Sequence, residues 1–149
     1  MKKKKMKFLI KIVTILLIII SFYSCDDTKS TIPTIYVDIT IDLNDPLYNK
    51  LTIPGGYEYI TGGYQGILIY HSALDDNFIA FDRACPYDPD CGGKLYVNKT
   101  LFGTIDSTCC KSEFSLLTGG NVTTGPATYP MKQYRCFYNA EAKILQIKN

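Results

Sequence analysis

After residue 26, no stretch of this 149-residue chain sustains a 3.6-residue apolar period over three helical turns. What replaces it is a series of short β-rich runs with turn residues between them. "IYVDITIDL" (35–43) alternates apolar and polar residues, the period of a half-buried strand. "GILIYHS" (66–72) and "FIAFDRA" (78–84) flank "ALDDN", a hairpin-like connection. "KLYVN" (94–98) and "TLFGTI" (100–105) follow, with a turn at "VNKT". "KQYRCFY" (132–138) and "KILQIK" (143–148) close the chain across "NAEA". Glycine and proline recur in "IPGG", "TGGY", "DPDCGG", "LTGGN" and "TTGPA". Many short strands punctuated in this way predict an all-β domain, a small antiparallel sandwich or barrel. There is no internal repeat and no sign of a second domain.

The first 25 residues read differently. A lysine cluster precedes an apolar run from Ile12 to Ile20, and "FYSC" leads to Cys25. This is the layout of a bacterial export signal, and the run is shorter than the ~20 residues of a membrane span. "FYSC" resembles a lipobox, which implies cleavage before Cys25 and acylation of its sulfur. Each buried methylene contributes about 0.8 kcal/mol, so two or three acyl chains hold a protein on a bilayer. The polar "DDTKSTIPT" that follows suits a tether. Its leading acids resemble the surface-export signals of some Bacteroidetes lipoproteins. The expected organisation is a signal peptide over 1–24, a lipidated cysteine and tether over 25–34, and one β domain over 35–149. The expected location is the bacterial cell envelope, lipid-anchored to a membrane, with the outer membrane favoured.

Charge follows the same division. Residues 1–24 hold six lysines and no acid, so of 16 basic and 14 acidic side chains the remainder keeps ten basic and 14 acidic, a net charge of −4. The basicity lies in the segment to be removed, and nucleic-acid binding loses its electrostatic basis.

Tyrosine is frequent, with 12 residues. Tyr57, Tyr59 and Tyr64 form an aromatic row that suits a glycan or a partner, or simply fills strands with its hydroxyls in water. His71 is the only histidine and has no nucleophile motif beside it, which favours a structural role and leaves a hydrolase without a placed base.

Two cysteine boxes carry the chemistry: "ACPYDPDC" (84–91) and "DSTCCKSEF" (106–114). "FIAFDRACPYD" enters the first, and "KSEFSLLTGGNVTTGPATYPMKQY" leaves the second. The frame is Phe114, Gly119 or Gly120, Gly125-Pro126-Ala127, Pro130 and Tyr134. On these residues the segment from Phe78 to Tyr134 resembles a Rieske [2Fe–2S] domain. Such domains carry a Cys-x-His box and a Cys-x-x-His box. Under that resemblance the four ligand positions are Cys85, Tyr87, Ser107 and Cys110. A cluster with two thiolates on one iron and two imidazoles on the other cannot be built from them. Lys111 stands where the family has a glycine. There it either lowers the pKa of a neighbouring thiol or is an ordinary solvated lysine.

The resemblance also implies a pairing. High-potential members carry an extra cysteine in each box, joined as a disulfide, which points to Cys91 with Cys109. Cys85 and Cys110 then stand at ligand positions on facing loops, within reach of a second bond, and Cys136 is left as a free thiol. A rival pairing uses Cys136 and leaves Cys85 or Cys110 reactive. A four-cysteine metal site is numerically possible, but Cys109 and Cys110 are neighbours, and on a strand neighbours face opposite ways.

The functional expectation is a membrane-tethered lipoprotein whose Rieske-like domain lacks the cluster ligands. Its boxes would serve as a disulfide-stapled structural or interaction tip, without enzymatic activity and without a cofactor. Its partners would be the membrane, through acylated Cys25, and a protein of unknown identity. The alternative is a Rieske-type electron-transfer protein with altered ligands, whose cofactor would be [2Fe–2S]. A third class is a thiol–disulfide redox protein using Cys85 and Cys110.

Overall fold

The computed structural model describes residues 32–99 and 103–149. The expected signal peptide and the lipidated Cys25 lie outside the described residues, as does most of the tether. Of the expected tether, Ile32 and Pro33 already touch the domain. Ile32 is buried, and the Pro33 carbonyl accepts from Lys132 Nζ at 2.7 Å.

Ten strands are present among these residues: β1 (Asp38–Asp42), β2 (Tyr57–Ile60), β3 (Ile67–His71), β4 (Phe78–Asp82), β5 (Leu95–Val97), β6 (Thr104–Ser107), β7 (Glu113–Ser115), β8 (Asn121–Thr124), β9 (Gln133–Asn139) and β10 (Ile144–Lys148). They form a six-stranded sheet in the order β1-β10-β9-β4-β3-β2 and a four-stranded sheet in the order β5-β6-β7-β8. Every pairing is antiparallel. The observed class is therefore all-β, a small antiparallel two-sheet domain with a loop-rich two-box tip. Two short 3-10 helices, Pro46–Thr52 and Leu116–Thr118, complete it. The first starts at Asp45, whose side chain accepts from the Leu47 N–H at 2.9 Å, with Pro46 at the position where a missing N–H costs nothing.

All five residues of β3 are buried. This reflects two cores, one on each face of the strand. Ile67 and Ile69 join Val37, Ile41, Leu51, Ala80, Leu145 and Ile147 where the large sheet curls around its inner face. Leu68 and Tyr70 face the other way and join Phe81, Leu95, Ile105, Phe114 and Leu116 against the small sheet. A strand buried on both faces reads as a continuous apolar run, as "ILIYH" does. β4 shares this position: its Ala80 belongs to one core and its Phe81 to the other. The two cysteine boxes leave from the tip end of this sandwich, the first between β4 and β5, the second between β6 and β7.

Candidate functional site: the stapled two-box tip

The first box is anchored at its root by a buried acid. Asp82, at the end of β4, is fully buried. Its carboxylate accepts from the Tyr64 N–H at 2.6 Å, the Gln65 N–H at 3.2 Å, the Ala84 N–H at 2.9 Å and the Tyr134 hydroxyl at 2.7 Å. Four donors meet the requirement that a buried charge be hydrogen-bonded. Burial, and then the Asp82 carboxylate, push the Tyr134 hydroxyl far above its ordinary pKa of 10.0, so it stays a donor. The chain beyond Asp82 is tied again where the Leu95 N–H donates to the Arg83 carbonyl at 2.7 Å, closing the base of the loop. The Arg83 guanidinium lies 3.9 Å from the centre of the Tyr59 ring, and its Nε donates to the Leu95 carbonyl at 2.9 Å. Tyr64 donates its hydroxyl to the Asp90 carboxylate farther along the box.

The second box turns back over residues 108–112, closed by Ser107 N–H to the Ser112 carbonyl at 3.1 Å. Ser107 Oγ accepts from the Cys110 N–H at 3.2 Å and lies 3.0 Å from Cys110 Sγ. A cystine sulfur carries no proton, so in the latter contact the serine hydroxyl is the donor. Ser112 is buried and accepts from the Ala127 N–H at 3.1 Å, which ties the Gly-Pro-Ala segment to the box. Gly125 has to be glycine there, since a Cβ would sit 2.5 Å from the Lys111 carbonyl oxygen and 2.6 Å from Ser112 Cα. Lys111 adopts φ +53°, the left-handed region, which accounts for the glycine expected at that position.

Between the loops run two disulfides. Cys85 bonds Cys110 with Cα atoms 6.9 Å apart, and Cys91 bonds Cys109 with Cα atoms 6.2 Å apart. Cys136 is the free cysteine among the described residues. Cys109 and Cys110 lie in the turn after β6 and not on a strand. The strand alternation that would send their side chains to opposite faces therefore does not apply, and both reach the same facing loop. Cys85 is fully buried and Cys110 nearly so, while Cys91 and Cys109 are half-buried at the rim. The approach depends on Gly93, where a Cβ would collide with Thr108 Oγ1 and sit 3.1 Å from Cys109 Sγ.

Of the four ligand positions that the sequence resemblance implies, the structure brings together Cys85, Ser107 and Cys110. Tyr87 is 59% exposed. The donors present do not fit a [2Fe–2S] cluster held by two thiolates and two imidazoles. The two sulfurs are bonded to each other, and the serine oxygen caps the turn. The one histidine belongs elsewhere: His71 Nδ1 contacts the Leu51 carbonyl oxygen and Nε2 contacts Asp76 Oδ1, each at 2.8 Å. Among the described residues, no group of three or more His, Cys, Asp or Glu side chains is arranged to hold a metal ion.

The aromatic row is also taken up by structure. Tyr57 and Tyr59 meet edge to face at 5.6 Å. Tyr59 Oη accepts from the Val97 N–H at 2.8 Å, joining the two sheets; this hydroxyl is not left to water as expected. Asp82 was not singled out from the sequence. The available signal was an acid ending the otherwise apolar run "FIAF".

Fold and site define a small antiparallel β domain whose two facing loops are joined by sulfur. No protein-family model matches the chain, and no curated protein matches its sequence. Among solved structures it is similar to a nitrite reductase NADPH small-subunit oxidoreductase protein, at 13% identity and a TM-score of 0.44, covering 76% of this chain and 99% of that one. It is also similar to an NADH-dependent nitrite reductase small subunit from Mycobacterium tuberculosis, at 18% identity and a TM-score of 0.46, covering 78% and 97%. Overlaps this loose carry no inference about chemistry.

Proposed function

We propose that this chain is a membrane-tethered envelope lipoprotein whose Rieske-like domain works without a metal cluster, as a structural or protein-interaction module. Acylated Cys25 would hold it on the bilayer, and the stapled tip would present a fixed surface to a protein partner. The observation that carries this reading is the pairing of all four box cysteines across the two loops. In a Rieske-type electron carrier the sulfur at the Cys85 position would be a thiolate on iron; here it is bonded to Cys110. Tyr87 and Cys110 at the two imidazole positions supply no imidazole, and Ser107 at the second thiolate position supplies no thiolate. Half-buried Cys91 and Cys109 would be the first sulfurs reached by a reductant, so a redox role would begin at that bond.

The test is metal and sulfide analysis of protein purified without reconstitution, together with its visible spectrum. The reading predicts colourless protein, iron far below one atom per chain and no acid-labile sulfide. Two irons and two sulfides per chain with a visible charge-transfer band would replace it with the electron-transfer reading. Membrane tethering is tested separately. Labelling with a radioactive fatty acid should mark the wild-type chain and not the Cys25→Ala variant.

A further inference from the structure

At the end of the large sheet away from the tip lies a cleft of about 270 Å³. β4 separates the two regions: at about 3.3 Å of rise per residue, Phe78 and Asp82 stand about 13 Å apart. The cleft is lined by Leu51, His71, Asp76, Phe78, Tyr138 and Lys143, among others. Its volume falls just below the ~300–1,000 Å³ typical of sites for drug-sized ligands, which suits one small ring.

Its wall is aromatic. The His71 imidazole stacks on Phe78 at 4.4 Å and 20°, and Tyr138 tilts against Phe78 with ring centres 4.8 Å apart. Tyr138 is 43% exposed, so ring surface remains available. Both nitrogens of His71 are engaged, by the Leu51 carbonyl and by Asp76, so the imidazole is a fixed wall and not a free ligand or base. Two charges sit on the same cleft. The Asp76 side chain is 81% exposed and spends Oδ1 on His71, with Oδ2 open among the described residues. The Lys143 ammonium has no ion pair or hydrogen bond among the described residues, so it is not neutralised by Asp76. Asp76 and Lys143 belong to two different hairpin turns, β3–β4 and β9–β10, and both hold left-handed backbone at φ +58° and +54°. The fold thus carries one acid and one base to a common aromatic wall without pairing them with each other.

That combination selects by charge. A ligand with a single charge is drawn by one of these groups and repelled by the other. A neutral ring with an apolar face and several hydroxyls uses everything present: its C–H face against Tyr138, one hydroxyl donating to Asp76 Oδ2, another accepting from Lys143. We propose that this cleft binds a single neutral saccharide unit. The site is independent of the reading of the tip, and the two can fail separately.

The experiment is a two-dimensional amide NMR titration of the full chain, kept in a zwitterionic detergent that contains no sugar. The probes are methyl glucoside, methyl galactoside and N-acetylglucosamine, with benzoate and benzylammonium as charged ring controls. Saturable shifts with at least one sugar, confined to residues around His71, Phe78, Tyr138 and Lys143 and absent with both controls, are the expected result. Tyr138→Ala should weaken binding about three- to tenfold, the value of one aromatic contact, while the amide spectrum at the tip stays unchanged. Lys143→Gln should also weaken it. No saturable shift at this cleft with any of the three sugars would overturn the proposal. So would tighter binding of benzoate or benzylammonium, or sugar binding that Tyr138→Ala leaves untouched.

Discussion

In the large sheet, strands of four to seven residues pair over five positions each for β1–β10, β9–β10 and β3–β4 and four for β2–β3, with a two-position junction at β4–β9. In the small sheet, strands of three or four residues pair over three positions at a time, with a register irregularity at Glu113 and Phe114. The large sheet closes around its own apolar face, and its charged core residue, Asp82, is met by four donors. The small sheet lies between a shared core on one side and the loop tip on the other, and the tip is crossed by two disulfides. The difference teaches what each half relies on. Long ladders and a satisfied buried acid hold the base. Short ladders leave the loops under-determined, and covalent bonds supply the constraint. Cross-links that close loops of 25 and 18 residues stabilise by roughly 3 kcal/mol each on the chain-entropy estimate.

Substitution at the root of the first box should have the largest effect. Asp82→Ala strips three backbone N–H groups and the Tyr134 hydroxyl of their acceptor. At about 1–3 kcal/mol per buried unsatisfied group, the loss should reach 3 kcal/mol or more, read as a fall in the urea midpoint. Tyr134→Phe removes only one donor and should cost about 1–2 kcal/mol in the same assay. Next comes the tip. Replacing Cys91 and Cys109 together by serine should cost about 2–4 kcal/mol. Hydrogen exchange should show the loss concentrated in β5–β8, with the amides of β3, β9 and β10 little changed. A uniform loss across both sheets would mean that the halves do not differ in the way described.

Alkali should divide the two regions in the opposite sense. Cystines do not titrate, but Cys136 on β9 is half-buried, and that burial pushes its thiol from an ordinary 9.0 up to about 11. Tyr134 is raised as well. Both groups are neutral when protonated, and the unfolded chain releases their protons at lower pH than the folded one. The Cys136 contribution is therefore complete below pH 9 and is lost as pH rises through about 11, while that of Tyr134 begins to fall above its ordinary 10.0 and persists to higher pH. Base amides should lose protection in that window before tip amides do, and Cys136→Ala should flatten the fall. The same burial predicts slow alkylation of Cys136 by iodoacetamide at pH 8, since the thiolate is the nucleophile. The smallest effect belongs to Lys111, where glycine should stabilise by about 0.5–1 kcal/mol by relieving the left-handed backbone.

The base was the more legible half. β1, β3, β4, β9 and β10 all fall within runs of period two or continuous apolar character. β2 reads "YEYI", and its alternation is the same signal for a strand as for an aromatic binding row. β7 is three residues long, too short for a period, and β8 is "NVTT" with only Val122 half-buried, so neither carries a strand signature. The tip was legible only through its resemblance to a known family: spacing alone left the rival pairing through Cys136 open. It also misjudged Cys109 and Cys110, whose place in a turn depends on the Ser107 cap and on the room left by Gly93. Asp82 escaped notice because its four donors come from three segments far apart in sequence.

The most direct test of the stapled tip is peptide mapping by mass spectrometry under non-reducing conditions, on protein alkylated before digestion. The account predicts Cys85 linked to Cys110, Cys91 linked to Cys109, and alkylation confined, among the cysteines of residues 32–149, to Cys136. Recovery of all four box cysteines as alkylated free thiols, or of a bond through Cys136, would contradict it.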